Sequence, residues 1–157
     1  MRAGRASSES IAATSETIVE SRRSDLVVYT ILERRDDPRM LNLNSVMIGT
    51  MQPKVLVSFY SGVIGKAPDM VDADSGFSGW QVGNSYFSIL QHSEMAGKTR
   101  DPGRVLINFE TTQVKEEFER IKALGAAAIR EPYQMGNGWL ATLADPDGNY
   151  FQLVNPM

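Results

Sequence analysis

The stretch LADPDGNYFQLVNP, residues 143–156, decides how the rest of the chain reads. Asp145-Pro146-Asp147-Gly148-Asn149 is a turn signal, because proline and aspartate favour a bend and Asp-Gly supplies the pair that tight hairpins need. Apolar runs flank it, so the spacing predicts strands near 138–144 and 149–155. Side chains alternate along a strand, so Phe151 and Leu153 share one face and Gln152 takes the other. An uncharged amide therefore stands on the face that Phe151 and Leu153 leave.

Working back along the chain, another strand is predicted near 126–133. Before it, TQVKEEFERIKALG (112–125) carries Val114, Phe118, Ile121 and Leu124 at helical spacing with charges between them, and Gly125 is a natural stop. RVLINFET (104–111) ahead of that helix reads as a strand. The first half of the domain has the same order. NLNSVMIGT (42–50) is strand-like, and Pro53 opens a helix with Leu56, Phe59, Tyr60, Val63 and Ile64 on one stripe, ending at Gly65. Strand-like runs follow near 67–72, 77–83 and 85–91. Each half reads βαβββ.

The halves also resemble one another residue by residue. Val46-Met47-Ile48-Gly49-Thr50 matches Ile107-Asn108-Phe109-Glu110-Thr111, Phe59 and Gly65 match Phe118 and Gly125, and Gly79-Trp80 matches Gly138-Trp139. Gly83 to Ile89 matches Gly148 to Leu153 with one residue dropped, which makes Ser88 the counterpart of Gln152.

Three pieces together carry a family resemblance: Ser58-Phe59-Tyr60 ahead of Gly65, FERIKALG (118–125), and the closing DPDGNYFQL (145–153). The chain resembles the vicinal oxygen chelate superfamily, which includes glyoxalase I, extradiol dioxygenases, and the fosfomycin and bleomycin resistance proteins. That family typically closes on DPDGN-x-x-E-L. The resemblance implies an α+β fold in which two βαβββ modules form a curved eight-stranded cleft with the helices outside. In metal-dependent relatives, inward-facing strand residues hold one divalent ion that substrate oxygens chelate.

Carried over onto this sequence, the metal positions fall at Ser45, Ser88, Leu106 and Gln152. Divalent ions of this class need imidazole or carboxylate donors. Serine is a poor ligand, leucine has no lone pair to offer, and glutamine supplies only a neutral carbonyl. The expectation is therefore no metal and no cofactor. His92, the chain's single histidine, lies two pleats from Ser88, about 13 Å by strand rise, at the cleft rim. Glu110 stands four residues beyond Leu106.

The sequence carries no other catalytic constellation. With no cysteine there are no disulfides, thiolates or zinc–sulfur sites. His92-Ser93-Glu94 reads as a solvated loop, and Ser93 to Gly103 (SEMAGKTRDPG) as the linker between modules. Trp80 and Trp139, in equivalent places, either stack on a flat ligand or anchor the core. The candidate ligand-binding set is Ser45, Met47, Trp80, Tyr86, Ser88, Leu106, Asn108, Trp139 and Gln152, with Tyr133 as a further lining residue.

A formal net charge of −3 gives no reason to expect nucleic acid or an anionic membrane as partner, and no apolar run reaches transmembrane length. Residues 1–40 are rich in Ser, Ala, Arg and Glu and read as a mobile extension ahead of a domain at 41–157. Leu26 to Leu32 is the one β-prone run in the extension. Glu9, Glu16 and Glu20 argue against a transit peptide, and Met40 offers a second start.

The leading expectation is a cytoplasmic, metal-independent protein that binds a small organic molecule by sequestration or carriage. Two rivals stay open: a glyoxalase-like lyase, isomerase or dioxygenase with displaced ligands, and a protein-interaction module with a filled cleft. Exposed strand edges leave a homodimer open as well.

Overall fold

The structure, a computed structural model, describes residues 43–156. The expected extension at 1–40 and the Leu26 to Leu32 run lie outside the described residues. The first module comprises β1 (Ser45–Thr50), α1 (Pro53–Ile64), β2 (Met70–Asp72), β3 (Phe77–Val82) and β4 (Ser85–Gln91). The second comprises β5 (Ile107–Glu110), α2 (Val114–Ala123), β6 (Ala127–Met135), β7 (Gly138–Ala144) and β8 (Tyr150–Val154). The two sheets have the same order, β1-β4-β3-β2 and β5-β8-β7-β6. Each is mixed, because β1 runs parallel to β4 and β5 to β8 while the remaining pairs are antiparallel.

Both helices bury the stripe that their spacing predicts. Leu56, Phe59, Tyr60 and Val63 of α1 are buried, Pro53 occupies its first turn, and Gly65 closes it at φ 81°, a left-handed conformation that glycine adopts without strain. Helix α2 buries Val114, Phe118 and Ile121. Its Glu116 and Glu117 sit in the first turn and Arg120 and Lys122 near the last, where each complements the helix dipole. Leu124 departs from the inward position that the stripe predicts. It caps the helix and leans on Gly62 of α1, where an added Cβ would lie 2.9 Å from its Cδ1.

The helix-facing sides of both sheets merge into one core. Tyr60 of α1 stacks near Phe87 of β4 at 4.6 Å between ring centroids and near Phe151 of β8 at 6.2 Å. Phe109 of β5 joins Phe87 at 6.1 Å and Phe151 at 5.9 Å. Arg120 of α2 donates to the carbonyls of Gly62 and Val63 at 2.6 and 2.8 Å, satisfying groups that the last turn of α1 leaves without helical partners. Because one tyrosine touches the helix-facing side of each sheet, both opposite faces look away from this core.

Two strands are only half as long as their sequence suggests. The expected strand at 104–111 begins only at Ile107, since its parallel partner β8 starts at Tyr150 and the register pairs Ile107 with Phe151. The run expected at 67–72 contracts to three exposed residues at the sheet edge.

Candidate functional site

Register determines which side chains share the outward, open face of each sheet. On the first sheet, Ser45 stands beside Tyr86, and Tyr86 beside Gln81. One pleat along, Met47, Ser88, Gly79 and Met70 form a continuous row across all four strands. The row is apolar and small at its centre. The Tyr86 ring lies across Gly79, so close that a Cβ there would sit 2.5 Å from its Cε1. Its hydroxyl is buried and makes no hydrogen bond. Ser88 is buried at 1% exposure, its hydroxyl reaching the Val46 carbonyl only at 3.4 Å. Beyond this row the face is closed by His92 and Met95, each with an atom 3.4 Å from where a Gly49 Cβ would stand.

The second sheet repeats the arrangement with different chemistry. Asn108, Gln152, Thr142 and Arg130 are paired in turn across β5, β8, β7 and β6. Gln152 Nε2 donates to Thr142 Oγ1 at 3.1 Å. The amide of Gln152 is thus held by its neighbour within the β7–β8 hairpin. Arg130 places its guanidinium carbon 3.7 Å from the Tyr133 ring centroid, a cation–π contact on an irregular stretch of β6.

Of the expected ligand-binding residues, Ser45, Met47, Tyr86 and Ser88 share the open face of the first sheet, and Asn108 and Gln152 that of the second. Leu106, 39% exposed, precedes β5 with the parity of Asn108. The two tryptophans do not belong to the set. Trp80 pairs with Phe87 on the helix side, has no exposed surface, and donates its indole N–H to the Lys66 carbonyl at 3.1 Å. Trp139 packs against the same core and carries the Lys115 ammonium of α2 at 3.4 Å from its ring centroid. Both correct the flat-ligand expectation: alternation puts them with Phe87 and Leu143, on the face that the helices cover.

A polar knot that the sequence reading missed joins the modules. Within the β7–β8 turn, Asp145 Oδ1 accepts the backbone N–H of Asp147 and of Asn149, both at 2.9 Å. Asp145 Oδ2 accepts Asn149 Nδ2 at 2.9 Å and the Tyr60 hydroxyl at 3.0 Å. Asp147 accepts the Thr50 hydroxyl at 2.6 Å and also the Gln52 side-chain amide. Burial pushes the Asp145 carboxyl above the ordinary aspartate range, against the pull of its hydrogen bonds from Asn149 and Tyr60. Burial, then the charge of Asp145, pushes the Tyr60 hydroxyl well above the usual tyrosine range. Thr50-Met51-Gln52 supplies two of the knot's donors, and Thr111-Thr112-Gln113 repeats the Thr-x-Gln pattern before the second helix without joining the knot. In both, the threonine hydroxyl accepts the backbone N–H of the glutamine, at 3.0 and 3.1 Å.

The sequence profile of the glyoxalase-like domain matches residues 45–154, more than half of the chain. The protein belongs to this family. No curated protein matches it in sequence. Among similar solved structures is a glyoxalase/bleomycin resistance protein/dioxygenase family enzyme from Burkholderia phytofirmans PsJN, 25% identical, covering 74% of this chain and 100% of that one with a TM-score of 0.59. A glyoxalase-related enzyme from Fulvimarina pelagi is 18% identical over 74% of this chain and 89% of its own, with a TM-score of 0.63. The fosfomycin resistance protein FosX from Listeria monocytogenes is 16% identical over 75% and 93%, with a TM-score of 0.54. The glyoxalase-like domain here thus has the fold of the vicinal oxygen chelate superfamily.

Membership raises the question of a metal, and the donors do not fit one. The four carried-over positions in this glyoxalase-like domain hold Ser45, Ser88, Leu106 and Gln152, which offer two hydroxyls, a hydrocarbon and one neutral amide oxygen in place of imidazole and carboxylate. Among the described residues, no three His, Asp or Glu side chains converge as a ligand set. Asp145 and Asp147 are buried, and the knot engages both oxygens of each. No step through a metal follows from these residues.

Proposed function

We propose that this glyoxalase-like protein binds a small organic molecule on the open faces of its sheets, without a metal, and sequesters or carries it. The observation that carries the reading is the Tyr86 hydroxyl, buried over Gly79 beside Ser88 with no hydrogen-bond partner. A buried polar group left unsatisfied costs about 1–3 kcal/mol, and a swing of the Tyr86 ring off Gly79 that brings the hydroxyl to a ligand atom recovers that loss. Met47 and Met70, 54% and 58% exposed, flank it with adaptable apolar surface. A second chain laid over this face would shield the methionines and enclose the ligand, so we include a homodimer in the reading. Among the described residues no helix is long and apolar enough to cross a membrane. We assign the protein to the cytoplasm, which suits a chain without cysteine.

The test is a small-molecule screen by thermal shift, followed by mapping of each hit on the backbone amide spectrum. The expected result is a set of hits that raise the melting temperature and move the resonances of Met47, Tyr86 and Ser88. Tyr86→Phe should weaken them. Hits that are chemically converted, or whose effects fall away from both open faces, would contradict it.

A further inference from the structure

The two open faces carry matching rows of opposite character, and the second one ends in a cation. Arg130 is the only basic residue in the eight strands, and the register sets it beside Thr142, which stands beside Gln152. Its neighbour Glu131 turns the other way, reaching Lys122 of α2 at 3.9 Å, so alternation leaves Arg130 on the open side. There the guanidinium rests on the Tyr133 ring. Among the described residues no carboxylate pairs with it. The acid on the same face, Glu110, sits three strands away in the next row, about 14 Å by strand spacing. Stacking fixes the plane of the guanidinium and leaves its N–H edge for a planar, bidentate acceptor. Gln152 donates its N–H to Thr142, and its amide oxygen remains an acceptor on the same face.

We infer that the ligand of the second sheet is a small organic carboxylate, held by Arg130 on its Tyr133 platform, with a hydroxyl or N–H group within about 10 Å that donates to Gln152. This rests on the proposed function and names the ligand class within it. The equivalent row on the first sheet, with methionines at both ends, holds no charged side chain and offers no such anchor for a carboxylate.

The experiment is an amide-resonance titration of the full chain with 4-hydroxybenzoate and 3-(4-hydroxyphenyl)propionate, each set against its neutral carboxamide. The acids are expected to bind about tenfold more tightly than the amides and to move the resonances of Arg130, Thr142 and Gln152. Arg130→Gln should erase the difference, and Arg130→Lys should restore part of it, since the charge returns without the fork. Circular dichroism should show both variants folded, as the side chain is exposed. Equal binding of acid and amide, or unchanged acid binding by Arg130→Gln, overturns the inference. If neither acid binds while neutral molecules from the thermal-shift screen do, the inference fails and the proposed function stands. If no small molecule moves either face, both fail.

Discussion

The Thr50 hydroxyl donates to the Asp147 carboxylate at 2.6 Å across 97 positions of sequence, tying the end of β1 to the turn between β7 and β8. With Gln52 on the same carboxylate, the bond fastens the first module to the second at a buried point. Thr50→Val keeps the shape and removes the donor, leaving Asp147 short of a partner. The expected loss is about 1–3 kcal/mol, a fall of several degrees in melting temperature. An unchanged melting temperature would mean that the knot does not hold the modules together.

Asp145 sets a pH dependence whose sign can be worked out. Its folded-state carboxyl is raised by burial, so the folded chain holds the proton more tightly than the unfolded one. The stability it contributes is complete below the ordinary aspartate range and is lost as pH rises through the raised folded value. Asp145→Asn removes this titration. The melting temperature of the wild type relative to Asp145→Asn should therefore fall from acid to neutral pH, as read by thermal denaturation across that interval. A flat or rising difference would contradict the assignment.

Arg120 acts through geometry as well as charge. Its guanidinium bridges two carbonyls at the end of α1 while also meeting Glu117 at 2.6 Å. A lysine keeps the charge but cannot span these acceptors with a planar fork. Arg120→Lys is expected to cost about 1 kcal/mol in chemical denaturation. Full retention of stability would show that the helix contact does not depend on the bridge.

The fold was legible because its signals were periodic and doubled. The stripe from Leu56 to Val63, the glycine stops, and the Asp-Pro-Asp-Gly turn each gave an element, and the internal repeat gave their order. Alternation around Gln152 and Ser88 likewise gave the open faces. The tryptophans were left between ligand platform and core anchor, although parity favours the core: Trp80 pairs with Phe87, whose face is opposite that of Ser88. Arg130 escaped notice for another reason. Register shifts interrupt β6 on both sides of it, so its place beside Thr142 follows from three-dimensional pairing that no count along the chain supplies. The knot, too, depends on side chains about a hundred residues apart.

The position of Trp80 has its own optical test. In Trp139→Phe the remaining indole is wholly buried, so its emission should be blue-shifted and shielded from acrylamide. Ready quenching would put Trp80 at the surface, against the core assignment.

The central claim, an organic ligand held without a metal, is tested most directly by metal content. Protein purified without chelators or nickel affinity would be incubated with Ni, Mn, Zn and Fe(II) salts, desalted and measured by mass spectrometry, alongside Gln152→Glu. The account predicts no stoichiometric metal in either, since one carboxylate cannot replace the donors missing at Ser45, Ser88 and Leu106. About one ion per chain in the wild type would contradict it and redirect the search to glyoxalase and dioxygenase chemistry.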